Sequence, residues 1–384
     1  MLSVLFTGDV CFKLQQEVDF AAAQSILADV KPAFDAADLV IMNLETPLAD
    51  EGVGAPIRKS GPNIIGRPQN IGFLEAAGCD AVSLANNHTG DYGDAALFAT
   101  LRLLDAHGIG YAGAGANLDE AYRAWRCEKR GVKLSLLAVC EHEFGLASET
   151  SAGTAALDMA RLADAIERER AVSDFVVVFA HGGCEFCPVP SPKTMERYRT
   201  MVHLGADAII GAHSHCPQGW EIYRGKPIVY GLGNFLFKHE PNVAPSWFFG
   251  CMAELTLTPG KAAALTVKPY RFEPDGSRIE LLRGDALAAM RAYLDELTAI
   301  VADDARLRAY YAGWCAHRGL SYINGLRWDP DWVNESPADM GGFANLLACE
   351  SHIDMLAETA GMVFDGRIRE AMTHKEAVLR LQKL

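Results

Sequence analysis

The 384-residue chain lacks any run of eighteen or more apolar residues, so the sequence excludes an ordinary transmembrane helix. It also lacks a cationic excess. Its 35 lysines and arginines stand against 49 aspartates and glutamates, a formal charge of −14. That balance argues against nucleic acid, whose phosphates are held mainly by Lys and Arg, and disfavours an anionic membrane surface. An anionic substrate stays open, because a bound metal reverses the local field. No repeat and no low-complexity segment occurs. With half of the residues hydrophobic and only 35 glycines and 17 prolines, the composition is that of a globular protein. Only eight residues precede Asp9, and residues 2–6 already read as a strand. No room remains for a signal peptide, which predicts a cytoplasmic chain without a membrane anchor. The ten cysteines, spread from Cys11 to Cys349, then read as reduced thiols rather than disulfides.

What the chain does have is a set of polar motifs at the ends of apolar runs. Gly8-Asp9, Asn43-Leu44-Glu45, Asn86-Asn87-His88, His181-Gly182-Gly183 and Gly211-Ala212-His213-Ser214-His215 follow apolar residues 2–6, 39–42, 81–84, 175–179 and 208–210. Short apolar runs that end this way read as buried strands of an α/β sheet. The carboxyl ends of such strands share one crevice, where ligands bind.

Helical patterns lie between these strands. They cover residues 20–34, 71–77 with Gly78 closing the helix, 94–107, a segment opened by Asp158, and one opened by Ser191-Pro192 and ended by Gly205. Residues 51–70 read as a long functional loop. Residues 227–237, 248–257 and 263–272 read as consecutive strands. This order suggests two sheets packed face to face with helices outside. Beyond Gly284 the pattern is helical over 285–302, 305–316 and 343–360, with 328–342 irregular. The aromatics there, Trp314, Tyr322, Trp328, Trp332 and Phe343, predict a tail docked beside the crevice; a tethered helical unit or a dimerisation arm is the alternative.

Imidazole and carboxylate donors suit borderline divalent cations. His213 and His215, two apart on an extended strand end, would point to one side. His181 arrives from a separate strand, and Asp9, Glu45 and Asn87 arrive in the same way. A buried strand-end carboxylate costs several kcal/mol (roughly) without a cation or donor, although helix capping is the alternative for either one alone. Cys184 and Cys187 form a Cys-x-x-Cys pair, but Pro188 follows where a redox motif would open a helix, so a loop lining the pocket is preferred. Lys59 and Arg58 are candidates for holding an anionic group, or a solvated surface pair. His352 lies in a helical segment of the tail.

Taken with Asn43-Leu44-Glu45-Thr46-Pro47, Lys59-Ser60-Gly61-Pro62 and Tyr230-Gly231-Leu232-Gly233-Asn234-Phe235, these motifs resemble the CapA/PgsA family of poly-γ-glutamate capsule synthesis. That family belongs to the calcineurin-like metallophosphatase superfamily. The resemblance covers residues 1 to about 240. It implies an α/β fold, a four-layer double β-sandwich flanked by helices, over residues 1–275, with a helical extension over 276–384. It implies one or two divalent ions per chain (Mn, Fe or Zn). Asp9 and His215 would hold the first ion, Asn87, His181 and His213 the second, and Glu45 would bridge. His88 would act as general acid, with Lys59, Asn86 and Glu185 on the substrate. The chain departs from the superfamily at Cys11, where phosphatases carry a histidine. The thiolate replaces the imidazole, or the side chain packs into the core; the flanking Val10 and Phe12 favour the core.

Three functions follow from the resemblance. The first is a metal-dependent hydrolase of a phosphoester or a γ-glutamyl or peptide-type amide. The second is a metal-dependent peptide epimerase using His88 and a further base such as His352. The third is a non-catalytic factor in poly-γ-glutamate synthesis. The expected partner is a small-molecule, peptide or poly-γ-glutamate substrate.

Overall fold

The apolar runs form parallel strands in a computed structural model, which describes residues 1–239, 243–326 and 337–384. Leu2–Cys11, Leu39–Leu44, Ala81–Ser83 and Gly110–Ala112 lie side by side in parallel. Phe249–Leu257, Ala264–Phe272 and Ile279–Leu281 extend this sheet antiparallel, and Asn234–Phe237 pairs with the far end of Leu2–Cys11 to make eight strands. The second sheet has six strands in the order Trp220–Tyr223, Lys226–Val229, Ala208–Ala212, Phe175–His181, Val132–Cys140 and Trp125–Lys129. Its central four are parallel. Strands buried on both faces need apolar residues at every position, which is why they read as unbroken runs.

Alternation along each strand divides the core into layers. Val4, Phe6, Leu39 and Ile41 join Leu134, Leu136, Val177 and Phe179 of the second sheet in one cluster, where the Phe6 and Phe179 rings sit 6.2 Å apart. Leu5, Val40 and Met42 point the other way, into a second cluster with the helices Phe20–Leu27, Ile71–Ala77 and Gly93–Ala106. The helices Met159–Arg170 and Pro192–Leu204 cover the outer face of the second sheet. The Ser191 hydroxyl accepts from Thr194 N at 2.9 Å beside Pro192, an arrangement worth ~1 kcal/mol of helix stability.

Four expectations change, the first at residues 20–34, which a turn at 28–30 breaks into the helices Phe20–Leu27 and Lys31–Ala36. Residues 227–237 are not one strand, because the chain leaves the second sheet after Val229 and joins the first at Asn234. Gly233 makes this crossing at φ +76, and a Cβ on Gly8 would lie 1.7 Å from the Gly233 carbonyl oxygen, so the two backbones need both glycines. Residues 343–360 are not one helix; the chain breaks at Cys349 between Pro337–Ala348 and Glu350–Phe364. Of the span expected to be irregular, residues 328–336, with Trp328 and Trp332, lie outside the described residues, and helix resumes at Pro337. The edge strands Trp125–Lys129 and Trp220–Tyr223 were not legible, being partly exposed and polar.

Among the described residues no helix is long and apolar enough to cross a membrane. The tail helices Gly284–Val301, Asp304–Gly325, Glu350–Phe364 and Ile368–Leu381 pack on the second sheet's side. Leu297, Trp314, Met355 and Val378 belong to the same cluster as Phe179. Arg197 holds Asp354 through a bidentate pair of 2.6 and 3.0 Å.

Candidate metal centre

Strand register brings the site together. Asp9 stands opposite Asn43 on one side and Asn234 on the other, while His181 stands opposite Cys140 and Ala212. All these parallel strands end at one edge, so the residues just past their ends converge. Asp9, Glu45, His181, His213 and His215 are buried, as are Asn87 and His88.

Two triads of donor atoms form there, each with one atom per residue and all atoms within 4.8 Å. They are Asp9, Glu45 and His215, and Glu45, His181 and His213. Glu45 belongs to both. Asn87 Oδ1 lies 3.1 Å from His181 Nε2, which is 3.0 Å from His213 Nδ1. His215 Nδ1 is 3.3 Å from Asp9 Oδ2. The expectation of an extended backbone through the histidines was wrong. His213 and His215 have φ of +89 and +54, so a left-handed turn, not strand alternation, aims their rings. Non-glycine residues held there carry a cost of about 1–3 kcal/mol, a strain that clusters at functional sites.

The decisive electrostatic feature is Glu45. Both of its carboxylate oxygens are buried without a hydrogen-bond partner. Burial, with the Asp9 charge added, pushes its carboxyl well above the usual range. A divalent cation held by these residues would remove that penalty, so the donor set fits a metal. Burial also pushes His181 down, with the neighbouring His213 and His215 adding to it. Burial works against protonated His213 as well, but the Glu143 hydrogen bond and charge outweigh it and carry the pKa up to about 9. His88 is lowered by burial, although Asp91 Oδ2 sits 2.7 Å from its Nδ1 and opposes the shift.

Residues 3–239 match the family described as bacterial capsule synthesis protein PGA_cap. The chain belongs to this family. It is 27% identical over 246 residues to the capsule biosynthesis protein CapA of Bacillus anthracis, covering 62% of this chain and 60% of that one. It is 28% identical over 250 residues to the PGA biosynthesis protein CapA of Bacillus subtilis, with 62% and 63% coverage. The chain thus spans less than two thirds of those PGA_cap relatives. A probable polyglutamine synthesis accessory protein of Mycobacterium tuberculosis is 30% identical over 218 residues, covering 53% of this chain and 57% of that one. Among solved structures, a hypothetical protein from Thermus thermophilus covers 70% of this chain and 99% of its own at 18% identity, with a TM-score of 0.45.

Of the residues singled out in this PGA_cap sequence, Asp9, Glu45, Asn87, His181, His213 and His215 come together, with His88 beside them. Lys59 and Asn86 face inward instead. Lys59 is buried in contact with Asp91, 3.1 Å from the Asn87 carbonyl and 3.2 Å from His88 Nδ1. Asn86 donates to the Leu44 carbonyl and accepts from the His88 and Thr89 amides, which shapes the turn. Glu185 stays half-exposed on a cavity of about 500 Å³ that also touches His88, His215, Lys13, Phe186 and Trp247. Cys11 is fully buried in the apolar cluster under the helices, its thiol pushed up by burial, and joins neither triad. Cys184 and Cys187 are buried free thiols. Their loop lines the cavity with Glu185 and Phe186, whereas the thiols pack into the core. His352 Nδ1 has no hydrogen-bond partner, and its ring lies 5.2 Å from that of Tyr322.

Four supporting residues escaped the sequence reading. The Asn43 amide nitrogen lies 2.7 Å from Asp9 Oδ1 and 3.1 Å from His181 Nδ1. Asn234 Oδ1 lies 2.9 Å from His215 Nδ1, and Asp91 faces His88. Glu143 Oε1 is 3.2 Å from His213 Nε2. Asn43 and Asn234 stood inside recognised motifs. Glu143 had a weaker signal, a polar triplet Glu141-His142-Glu143 closing the strand Val132–Cys140.

Proposed function

We propose that the chain is a metal-dependent hydrolase built on a four-layer, metallophosphatase-type β-sandwich that runs past residue 275 to the strand Ile279–Leu281, with the helices from Gly284 onward as an extension beside the crevice. The observation that carries this reading is Glu45, buried and unpartnered between two donor triads. Asp9, Glu45 and His215 would hold one cation, and Glu45, Asn87, His181 and His213 a second. Nitrogen and oxygen donors suit Mn, Fe or Zn. Such ions supply an activated water and neutralise charge developing on the attacked group. His88 donates Nδ1–H to Asp91, which leaves Nε2 as the ring nitrogen free to protonate a leaving group. Asn43 keeps Asp9 and His181 oriented, and Asn234 does the same for His215.

The substrate is a phosphoester or a γ-glutamyl or peptide-type amide. The names of the capsule and polyglutamine relatives favour the peptide-type class. It would enter through the cavity bounded by Glu185, Phe186 and Trp247. The test is metal analysis of purified protein together with a screen of generic phosphoesters and γ-glutamyl peptides. One or two equivalents of transition metal with metal-dependent cleavage is the expected result. Protein that takes up no stoichiometric metal and cleaves neither class refutes the reading.

One observation favours a second reading, peptide epimerisation. His352 offers, from the tail, a buried ring nitrogen without a hydrogen-bond partner. It would serve as a second base opposite His88. Inverted product chirality without bond cleavage would identify that reaction.

A further inference from the structure

Three consecutive residues after the strand Val132–Cys140 tie the C-terminal tail to the donor cluster. Glu141 Oε2 accepts from the Ser351 amide at 3.2 Å and from the Cys349 thiol at 3.3 Å. His142 donates its backbone N–H to Glu350 Oε2 at 2.8 Å, and its Nδ1 lies 2.6 Å from Glu350 Oε1. Glu143 turns the opposite way, with Oε1 3.2 Å from His213 Nε2. A Cβ on Gly182 would lie 2.6 Å from Glu141 Cγ, so the end of the neighbouring strand is shaped around this carboxylate.

We propose that Glu143 is a positioning residue for the metal centre and that the helix Glu350–Phe364 is the clamp that holds it in place. An imidazole that donates Nε2–H to a carboxylate keeps its lone pair on Nδ1. In His213 that atom faces His181 Nε2 at 3.0 Å, inside the donor cluster. Fixing the tautomer and ring angle through the second nitrogen is how supporting partners raise a histidine's affinity for metal. His215 receives the same support from Asn234, which belongs to a strand of the larger sheet. Glu143 lies in a bend beyond its strand, where no sheet partner restrains it. The tail supplies the missing restraint.

Glu141, Cys349 and Glu350 also form a group of potential metal donors. Their donor atoms are already engaged in hydrogen bonds between the strand end and the tail. Both Glu350 oxygens are bonded to His142, and Glu141 Oε2 to the Ser351 amide and the Cys349 thiol. The group therefore acts as a clasp.

The inference rests on His213 being a metal ligand, and the experiment separates the two claims. Zn or Mn dissociation constants would be measured by chelator competition for full-length wild type, Glu143→Ala, Glu143→Gln and the pair Cys349→Ala/Glu350→Ala. The Co(II) absorption spectrum would be recorded alongside. We expect Glu143→Ala to weaken binding by roughly 10–100-fold, the range for lost supporting contacts, and to alter the Co(II) bands. Glu143→Gln keeps an acceptor and should fall between; if the alanine variant does not fold, it carries the test. The tail pair should weaken binding about ten-fold at the low end of that range. Arg161→Ala, which removes a surface contact to Glu149, should bind as wild type. In the metal-free state above pH about 9, where the His213 ring is neutral, ¹⁵N-histidine NMR should show His213 with a proton on Nε2 in wild type and a mixed tautomer in Glu143→Ala. Wild-type affinity in Glu143→Ala or in the tail pair overturns the proposal. Wild type that binds no metal refutes the hydrolase reading, and the metal-free NMR still decides the role of Glu143.

Discussion

Replacing Glu45 by Gln should stabilise the metal-free protein while abolishing its response to metal. In the wild type this carboxylate is buried beside Asp9 with neither oxygen hydrogen-bonded. Leaving a charged group unsatisfied in the interior costs at least about 1–3 kcal/mol, and two adjacent carboxylates add repulsion. Glutamine keeps the volume, removes the charge and offers an N–H to Asp9. Recovery of about 1–3 kcal/mol corresponds to a rise in Tm of roughly 1–4 °C for a chain of this size. Cation at a hundredfold excess over Kd should stabilise wild type by ~2.7 kcal/mol and the variant hardly at all. Calorimetry on chelated and metal-loaded samples at pH about 7.5 reads both effects. A chelated variant less stable than chelated wild type, or one that gains as much from metal, would falsify the argument.

Turnover should fall about 10²–10⁴-fold in His88→Ala with metal content unchanged, and Asp91→Asn should move kcat in the same direction because it releases Nδ1; wild-type kcat in both would remove His88 from the chemistry. The tail clasp should depend on pH in a defined window. The Glu350 hydrogen bond raises the His142 pKa, so that contribution is complete below about 6.5 and fades as pH climbs through the raised value. Burial alone would raise Glu350, but the His142 hydrogen bonds leave its carboxyl lowered; that contribution is present above about 4.3 and lost as pH falls through the lowered value. The stability difference between wild type and His142→Ala should thus be largest between those limits, and a flat difference across pH 4–9 contradicts the clasp. Phe179→Ala, which empties the layer between the sheets, should cost ~3–5 kcal/mol by urea unfolding; a loss under about 1 kcal/mol would mean that the layers are not packed as described.

The sequence by itself determined where strands end and which donors stand there. That information is local: an apolar run must be buried, its polar successor marks an edge, and histidine and carboxylate at several such edges imply one crevice. Asp9, Glu45, Asn87, His181, His213 and His215 were legible for that reason. Family membership was legible too, because the motifs come in order over 237 residues of the match. The tertiary structure decided what depends on contacts far apart in the chain. Whether Cys11 joins the donor cluster or the core followed from which side of its strand meets the helices. The aim of His213 and His215 came from a left-handed turn that no hydrophobic period encodes. Lys59 and Asn86 looked available because charge and polarity are visible in a sequence, whereas their partners Asp91 and Leu44 are not. The link from Glu143 to the tail joins positions more than 200 residues apart. Such a contact exists only because the second sheet and the helices share one buried layer, and burial of that layer is a property of the whole fold.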